Sequence, residues 1–241
     1  MKRVLIVGGT KGIGYSVAKQ MARKHLVTVT GREKPAACPD SIDFISTDFL
    51  NPERIEETTE RLIGKGEKIN YLLFFQRFRG KQEAWDGEIQ VSLTATKEMI
   101  EQLSDLFAPK EASIVLIASI NASLISSHLP IGYHVAKAGL VQMAKYYATV
   151  LGPKQIRVNS ISLGTILKKE SKKHLLKNKS LVEFYLQQAP LRRMGTVKDV
   201  SNVVEFLCSS KSSFITGQDI VMNGGVSIQW QETLALNKVS Q

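Results

Sequence analysis

The sequence predicts an α/β fold: a single domain over 1–241 built on a doubly wound parallel sheet of about seven strands, with helices on both faces. Short β-branched runs alternate with longer amphipathic stretches along the whole chain, and that succession calls for parallel pairing through right-handed crossovers. No repeat, low-complexity tract or Pro/Ser-rich linker divides the 241 residues, which suffice for one sizeable core. A hydrophobic content of 43% against 22% charged residues is that of a folded globular chain.

The first strand, RVLIV (3–7), runs into VGGTKGIG (7–14), which opens an amphipathic stretch over 13–24. Gly8, Gly12 and Gly14 permit a tight turn and close backbone approach there, so a helix N-terminus can face a pyrophosphate. LVTVT (26–30) and IDFIS (42–46) are the next strands. Asn51-Pro52-Glu53 reads as the start of a helix over 51–63, with Asn before Pro at the first helical position. NYLLFF (70–75) is the fourth strand, and its unbroken apolar run suits a sheet covered on both faces. It passes directly into Gln76, Arg77, Phe78 and Arg79, an unusual ending for a core strand. Helical patterns over 88–107 and 133–151 flank the fifth strand, SIVLIA (113–118). IRVNSI (156–161), a helical stretch over 197–209 and DIVM (219–222) complete the alternation, leaving a tail over 226–241.

Cys38 and Cys208 are far apart and in no metal-ligand spacing, which fits a reducing cytoplasm, and no metal site is expected. The apolar run in MKRVLIVGGT is too short for a signal peptide or a membrane span, so a soluble cytoplasmic protein is expected. The formal net charge of +10 suits an anionic partner. The densest basic segment, KKESKKHLLKNK (168–179), has no aromatic residue between its charges, so a stacking platform for single-stranded nucleic acid is disfavoured. A solvated helix face is the first reading of that segment, a charged lid the second and a nucleic-acid groove a distant third.

In a doubly wound sheet the ligand binds outside the carboxyl ends of the strands, where strand order reverses. At the end of the second strand, Thr30-Gly31-Arg32 lacks the carboxylate that a ribose 2′-hydroxyl would meet. Arg32 can fork onto a 2′-phosphate and Lys11 adds a second positive charge, so NADP(H) is the expected cofactor. Tyr133 and Lys137 stand four apart in a helical stretch, hence on one face. A fixed cation beside the phenol favours the phenolate, and so moves it toward the range useful for acid/base work. Ser119 lies at the end of the fifth strand, fourteen residues before Tyr133. His128 and His134 read as polar loop and helix residues.

From Arg3 to Gly225 the chain resembles the short-chain dehydrogenase/reductase family, and in particular its 3-oxoacyl-carrier-protein reductases. The resemblance rests on the G-x-x-x-G-x-G loop (with Val7 where the family has Thr), on Y-x-x-x-K at Tyr133 and Lys137, and on RVNSISLG (157–164). The segment PLRRMGTVKDVSNVVEFLCSSKSSFITGQDIVMNGG (190–225) matches its C-terminal signature. It implies a single-domain Rossmann fold and hydride transfer between NADP(H) and a carbonyl or alcohol substrate. It implies Tyr133 as the acid/base, Lys137 also on the nicotinamide ribose, and Ser119 on the substrate oxygen. For the cofactor it implies Gly8, Thr10, Lys11, Gly12, Ile13 and Gly14 on the loop. Arg32, Asp48, Phe49, Phe75, Gln76 and Arg77 follow at strand ends, then Gly164 and Ile166, with Asp48 toward the adenine. A substrate lid near 165–190 would bring Lys172 and Lys173 to an anionic substrate, and dimers or tetramers would form through 88–107 and 133–151.

The chain departs from the family at four places. N-N-A-G is here Phe74-Phe75-Gln76-Arg77, and the asparagine that in relatives holds a proton-relaying water is Ser92. P-G reads Leu163-Gly164 with its later threonine at Lys168, and the aspartate of D-G-G is Asn223. Slower turnover than in relatives, or a rearranged relay, is expected from Ser92. Two classes of function follow: an NADP(H)-dependent oxidoreductase, or an NADP(H)-binding protein with little turnover acting as sensor or scaffold. Arg77 is expected near an anion and Arg79 in solvent.

Overall fold

A computed structural model of the chain describes residues 1–80, 84–168, 177–230 and 232. Seven strands form one parallel sheet: β1 (Arg3–Val7), β2 (Leu26–Gly31), β3 (Ile42–Ser46), β4 (Tyr71–Phe74), β5 (Ser113–Ser119), β6 (Arg157–Leu163) and β9 (Asp219–Met222). Their order is β3-β2-β1-β4-β5-β6-β9. The chain winds outward from β1 to β3, then returns to the other side of β1 with β4. That reversal puts a crevice at the carboxyl ends of β1 and β4.

Alternation along each strand sends side chains to two separate cores. Leu5, Val7, Leu72, Phe74, Ile114 and Leu116 pack on one face with Ile55, Met99 and Leu140. These last come from α2 (Pro52–Gly64), α4 (Ala95–Gln102) and α5 (Ile131–Leu151). Val4, Ile6, Leu73, Val115 and Ile161 point the other way, onto Val17 and Met21 of α1 (Gly12–Met21) and Val200, Val204 and Leu207 of α7 (Val197–Cys208). A strand such as β4, buried at every position, needs both layers, which is why its sequence is apolar without alternation. Asn51 caps α2 as its position before Pro52 suggests, accepting from the Glu53 and Arg54 amides at 2.9 and 3.4 Å.

The sequence differs from the structure most between 84 and 107. The helical pattern predicted over 88–107 is broken into α3 (Ala84–Glu88), a π-helical turn (Ile89–Thr94), α4 and a short 3₁₀ turn (Ser104–Leu106). Thr96 donates its hydroxyl to the Ser92 carbonyl at 2.7 Å, a back-bond of the kind that bends helices. A two-residue pair, β7 (Ile166–Leu167) with β8 (Gly195–Thr196), also escaped the pattern because two residues show no periodicity. It ties the segment after β6 to the start of α7. Further along, α6 (Lys179–Gln188) lies within the predicted lid, whereas Lys172 and Lys173 fall outside the described residues. Among the described residues no helix is long and apolar enough to cross a membrane.

Candidate active site

The glycine loop is shaped by contacts that exclude a side chain. Gly8 has φ +73°, and a Cβ on it would sit 2.4 Å from the Gln76 backbone nitrogen. Its amide and that of Gly9 both donate to the Thr30 carbonyl, at 3.0 and 3.2 Å, which draws the loop against β2. Gly12, at φ +59°, is the opposite case: nothing lies within 4 Å of where its Cβ would be. No side chain caps the N-terminus of α1, which therefore meets open space with its amides and positive dipole end. That cradle fits a pyrophosphate.

The cradle opens into a cleft of about 640 Å³ along the carboxyl ends of the strands. Every residue that the sequence assigns to cofactor or catalysis lines this one cleft. Gly8, Thr10, Lys11, Gly12, Ile13 and Gly14 form one wall, and Arg32, Asp48 and Phe49 close one end. Phe75, Gln76 and Arg77 form the floor beyond β4, and Ser119, Tyr133, Lys137, Gly164 and Ile166 the far side. Among the lining groups outside the sequence reading are Glu33, Thr47 and Asn121. Glu33 stands one residue past the strand end searched for a carboxylate. It accepts from Lys11 Nζ at 2.8 Å, and this exposed pair holds the Glu33 carboxyl below its usual range. Asp48 turns Oδ1 back to the Leu50 amide at 3.1 Å.

Gln76 occupies the floor in a defined orientation. Its Nε2 donates to Thr96 Oγ1 at 2.7 Å. The Thr96 proton is already given to the Ser92 carbonyl, so the amide cannot be turned over. Gln76 Oε1 is then buried without a partner in the cleft wall, an acceptor awaiting a donor such as a ribose hydroxyl. Here too the residues fit a dinucleotide.

On the far side, α5 presents Tyr133 and Lys137 one turn apart. Lys137 is buried and donates Nζ to the Ile117 carbonyl at 2.9 Å. Burial pushes its proton affinity down to about 8; Arg77 acts in the same direction, while Glu88 opposes both. Nζ lies 5.8 Å from the centre of the Tyr133 ring and the Arg77 guanidinium 5.0 Å from it, so two cations face the phenol. Ser119 Oγ accepts from the Asn121 amide at 3.2 Å and donates to Asn121 Oδ1 at 3.3 Å. His134 accepts the Ser126 amide on Nε2 at 3.0 Å, which leaves Nδ1 to donate to the Pro130 carbonyl at 3.1 Å. Both nitrogens hold the loop before α5, and His134 therefore has a structural task.

A second cavity of about 620 Å³ adjoins the first on the Tyr133 side. Lys11, Arg77, Arg79 and Lys168 line it, with Glu88 as the carboxylate in its wall. Glu88, the last residue of α3, carried no sequence signal because its neighbours arrive from β4 and α5, far away in the chain.

Comparison with known proteins gives consistent matches. The family described as "Enoyl-(Acyl carrier protein) reductase" matches residues 7–227. A 3-oxoacyl-[acyl-carrier-protein] reductase of Buchnera aphidicola subsp. Baizongia pistaciae is 28% identical, over 93% of this chain and 97% of its own length. The mouse (Mus musculus) dehydrogenase/reductase SDR family member 4 is 27% identical over 93% of this chain and 86% of its own. A crystal structure of a short-chain dehydrogenase from Leptospira borgpetersenii serovar Hardjo-bovis, with bound NAD+, superimposes with a TM-score of 0.80. It is 27% identical over 94% of this chain and 92% of its own.

Proposed function

The chain belongs to the short-chain dehydrogenase/reductase family of oxidoreductases, and from that premise we propose that it is an NADP(H)-dependent reductase or dehydrogenase with Tyr133 as its acid/base. The observation that carries this reading is the buried Lys137 one helical turn from Tyr133, across a single cleft from the glycine cradle. Bound nicotinamide would supply or accept hydride at the carbon of a carbonyl or alcohol. In the reducing direction the Tyr133 hydroxyl gives its proton to the substrate oxygen, and the nearby Lys137 ammonium favours the phenolate that remains. Ser119, fixed by Asn121, presents its hydroxyl to the same oxygen. Gln76 Oε1 and Lys137 Nζ are suited to hold ribose hydroxyls, and the open amides of α1 the pyrophosphate.

Preference for NADP(H) is supported by Lys11 and Arg32 at the mouth of the cleft, and opposed by Glu33, which now pairs with Lys11. A negatively charged substrate is supported by the cations around the Tyr133 cavity, Arg77 and Arg79 among them. Arg77 replaces the small residue of the family motif with a guanidinium at the phenol, so it meets substrate or phosphate. A homodimer or homotetramer is supported by Val135, Tyr146 and Val150, exposed on α5. Ser92 and the altered N-N-A-G motif favour a second reading, cofactor binding with little turnover.

The deciding experiment follows the oxidation of NADPH and of NADH with a panel of neutral and carboxylate-bearing carbonyl compounds. Turnover that falls by roughly 10²-fold or more in Tyr133→Phe is the expected result. Binding of NADPH without turnover across the panel would favour the second reading. Arg77→Ala is expected to raise KM for charged substrates, by less as salt rises.

A further inference from the structure

The family motif is altered at Gln76, Arg77 and Ser92; in the fold Gln76 and Ser92 belong to one buried network, and Arg77 lies exposed next to Gln76. Gln76 Nε2 donates to Thr96, Thr96 donates to the Ser92 carbonyl, and Ser92 Oγ donates to Glu88 Oε2 at 3.3 Å. Glu88 is only 3% exposed and Ser92 is wholly buried. A carboxylate so far from water is costly unless opposite charge faces it. Burial pushes the Glu88 carboxyl above its usual range, and the charges of Lys137 on α5 and Arg77 after β4, with the Ser92 hydrogen bond, pull it back toward the carboxylate. Lys11, Arg79, Lys168 and Tyr133 line the cavity on which it borders. The placement is enforced by close helix packing: a Cβ on Gly132 of α5 would sit 3.0 Å from the Trp85 Cα of α3. Glu88 ends α3 directly before the π turn that carries Ser92.

We infer that Glu88 is a positioning residue: held by Ser92, its carboxylate keeps the buried ammonium of Lys137 charged beside Tyr133. The kinetic consequence rests on the oxidoreductase reading above; the electrostatic one does not. The sign follows from the groups that face Lys137. Burial and Arg77 drive its proton off and Glu88 retains it, so removing the Glu88 charge makes Lys137 neutral at lower pH.

The test uses the full chain carrying ¹³C at lysine Cε, with the Lys137 resonance assigned by its loss in Lys137→Arg. The midpoint of that resonance is followed by NMR against pH. In Glu88→Gln the midpoint is expected to fall by about one pH unit, a tenfold change in proton affinity. Glu88→Asp is expected to move it back toward wild type, and Ser92→Ala to lower it by a smaller step. A Glu88→Gln midpoint equal to wild type overturns the inference. Should that variant not fold, an unchanged midpoint in folded Ser92→Ala overturns it instead. In the kinetic arm, the alkaline limb of kcat/KM moves to lower pH by the same step in Glu88→Gln. Absence of turnover in the wild type would count against the oxidoreductase reading alone, because the NMR midpoints decide the role of Glu88 without it.

Discussion

Lys137 is governed by three neighbours that arrive from different parts of the chain: the Ile117 carbonyl, Glu88 and Arg77. The two charged ones act in opposite senses, which makes Arg77→Ala a useful counterpart to the loss of Glu88. Removing the guanidinium should raise the pH at which Lys137 loses its proton, and the alkaline limb of any kcat/KM profile should move upward with it. At the cleft mouth, Glu33→Gln should free Lys11 for phosphate. The ratio of kcat/KM for NADPH over NADH is expected to rise, by a few-fold at most because the pair is exposed. Tyr133 and Lys137 were legible in the sequence because a helix converts a spacing of four into proximity. The acidic groups were not. Glu33 lies one residue beyond the strand end, and Glu88 acquires meaning only when α3 is pressed against α5.

Elements whose signals are local were read correctly, and elements set by tertiary contact were not. The strands β1 to β6 and β9 announced themselves through β-branched runs, and α2 through Asn51-Pro52. The helix predicted over 88–107 is present but runs from Ala84 to Gln102 with a π turn inside it, because periodicity carries no mark of an extra residue wound into one turn. At the other end of the fold, α7 starts with a capping box. Thr196 Oγ1 accepts from the Asp199 amide at 3.2 Å, while Asp199 accepts from the Thr196 amide at 2.8 Å. Thr196→Ala should cost about 1 kcal/mol in urea unfolding. Asp199 also receives Arg193 at 2.7 Å, and these bonds hold its carboxyl well below the usual carboxylate range. Its contribution is present above an unfolded-state value near ~4 and is lost as pH falls below that toward the folded one. Wild type should therefore lose stability more steeply than Asp199→Asn between about pH 4 and pH 2, by a modest amount because the pair is exposed. Gly8→Ala addresses the loop itself. A Cβ 2.4 Å from Gln76 N and a positive φ leave no room, so both stability and dinucleotide binding should fall, as read by melting and by cofactor fluorescence titration.

At the scale of the molecule, the reversal of strand order between β1 and β4 brings every assigned group to one end of the sheet. The sheet fixes the backbone of the cleft, while the α3–α4 segment carries Glu88 and Ser92 beside it. That segment behaves as a screw with one residue too many in its thread. Each residue of an α-helix advances the screw by about 100°. The residues of Ile89–Thr94 are wound more slowly than that, so together they turn through what about five residues of regular α-helix would. Removing one of them would let the thread close to regular α pitch with α3 and α4 still in phase, so Trp85 would keep its place against Gly132. The surplus residue is taken up inside the turn that carries Ser92, not in the angle between the two halves of the segment. A one-residue deletion within α3 or α4, where there is no such slack, would turn one half by about 100° against the other and be felt more severely.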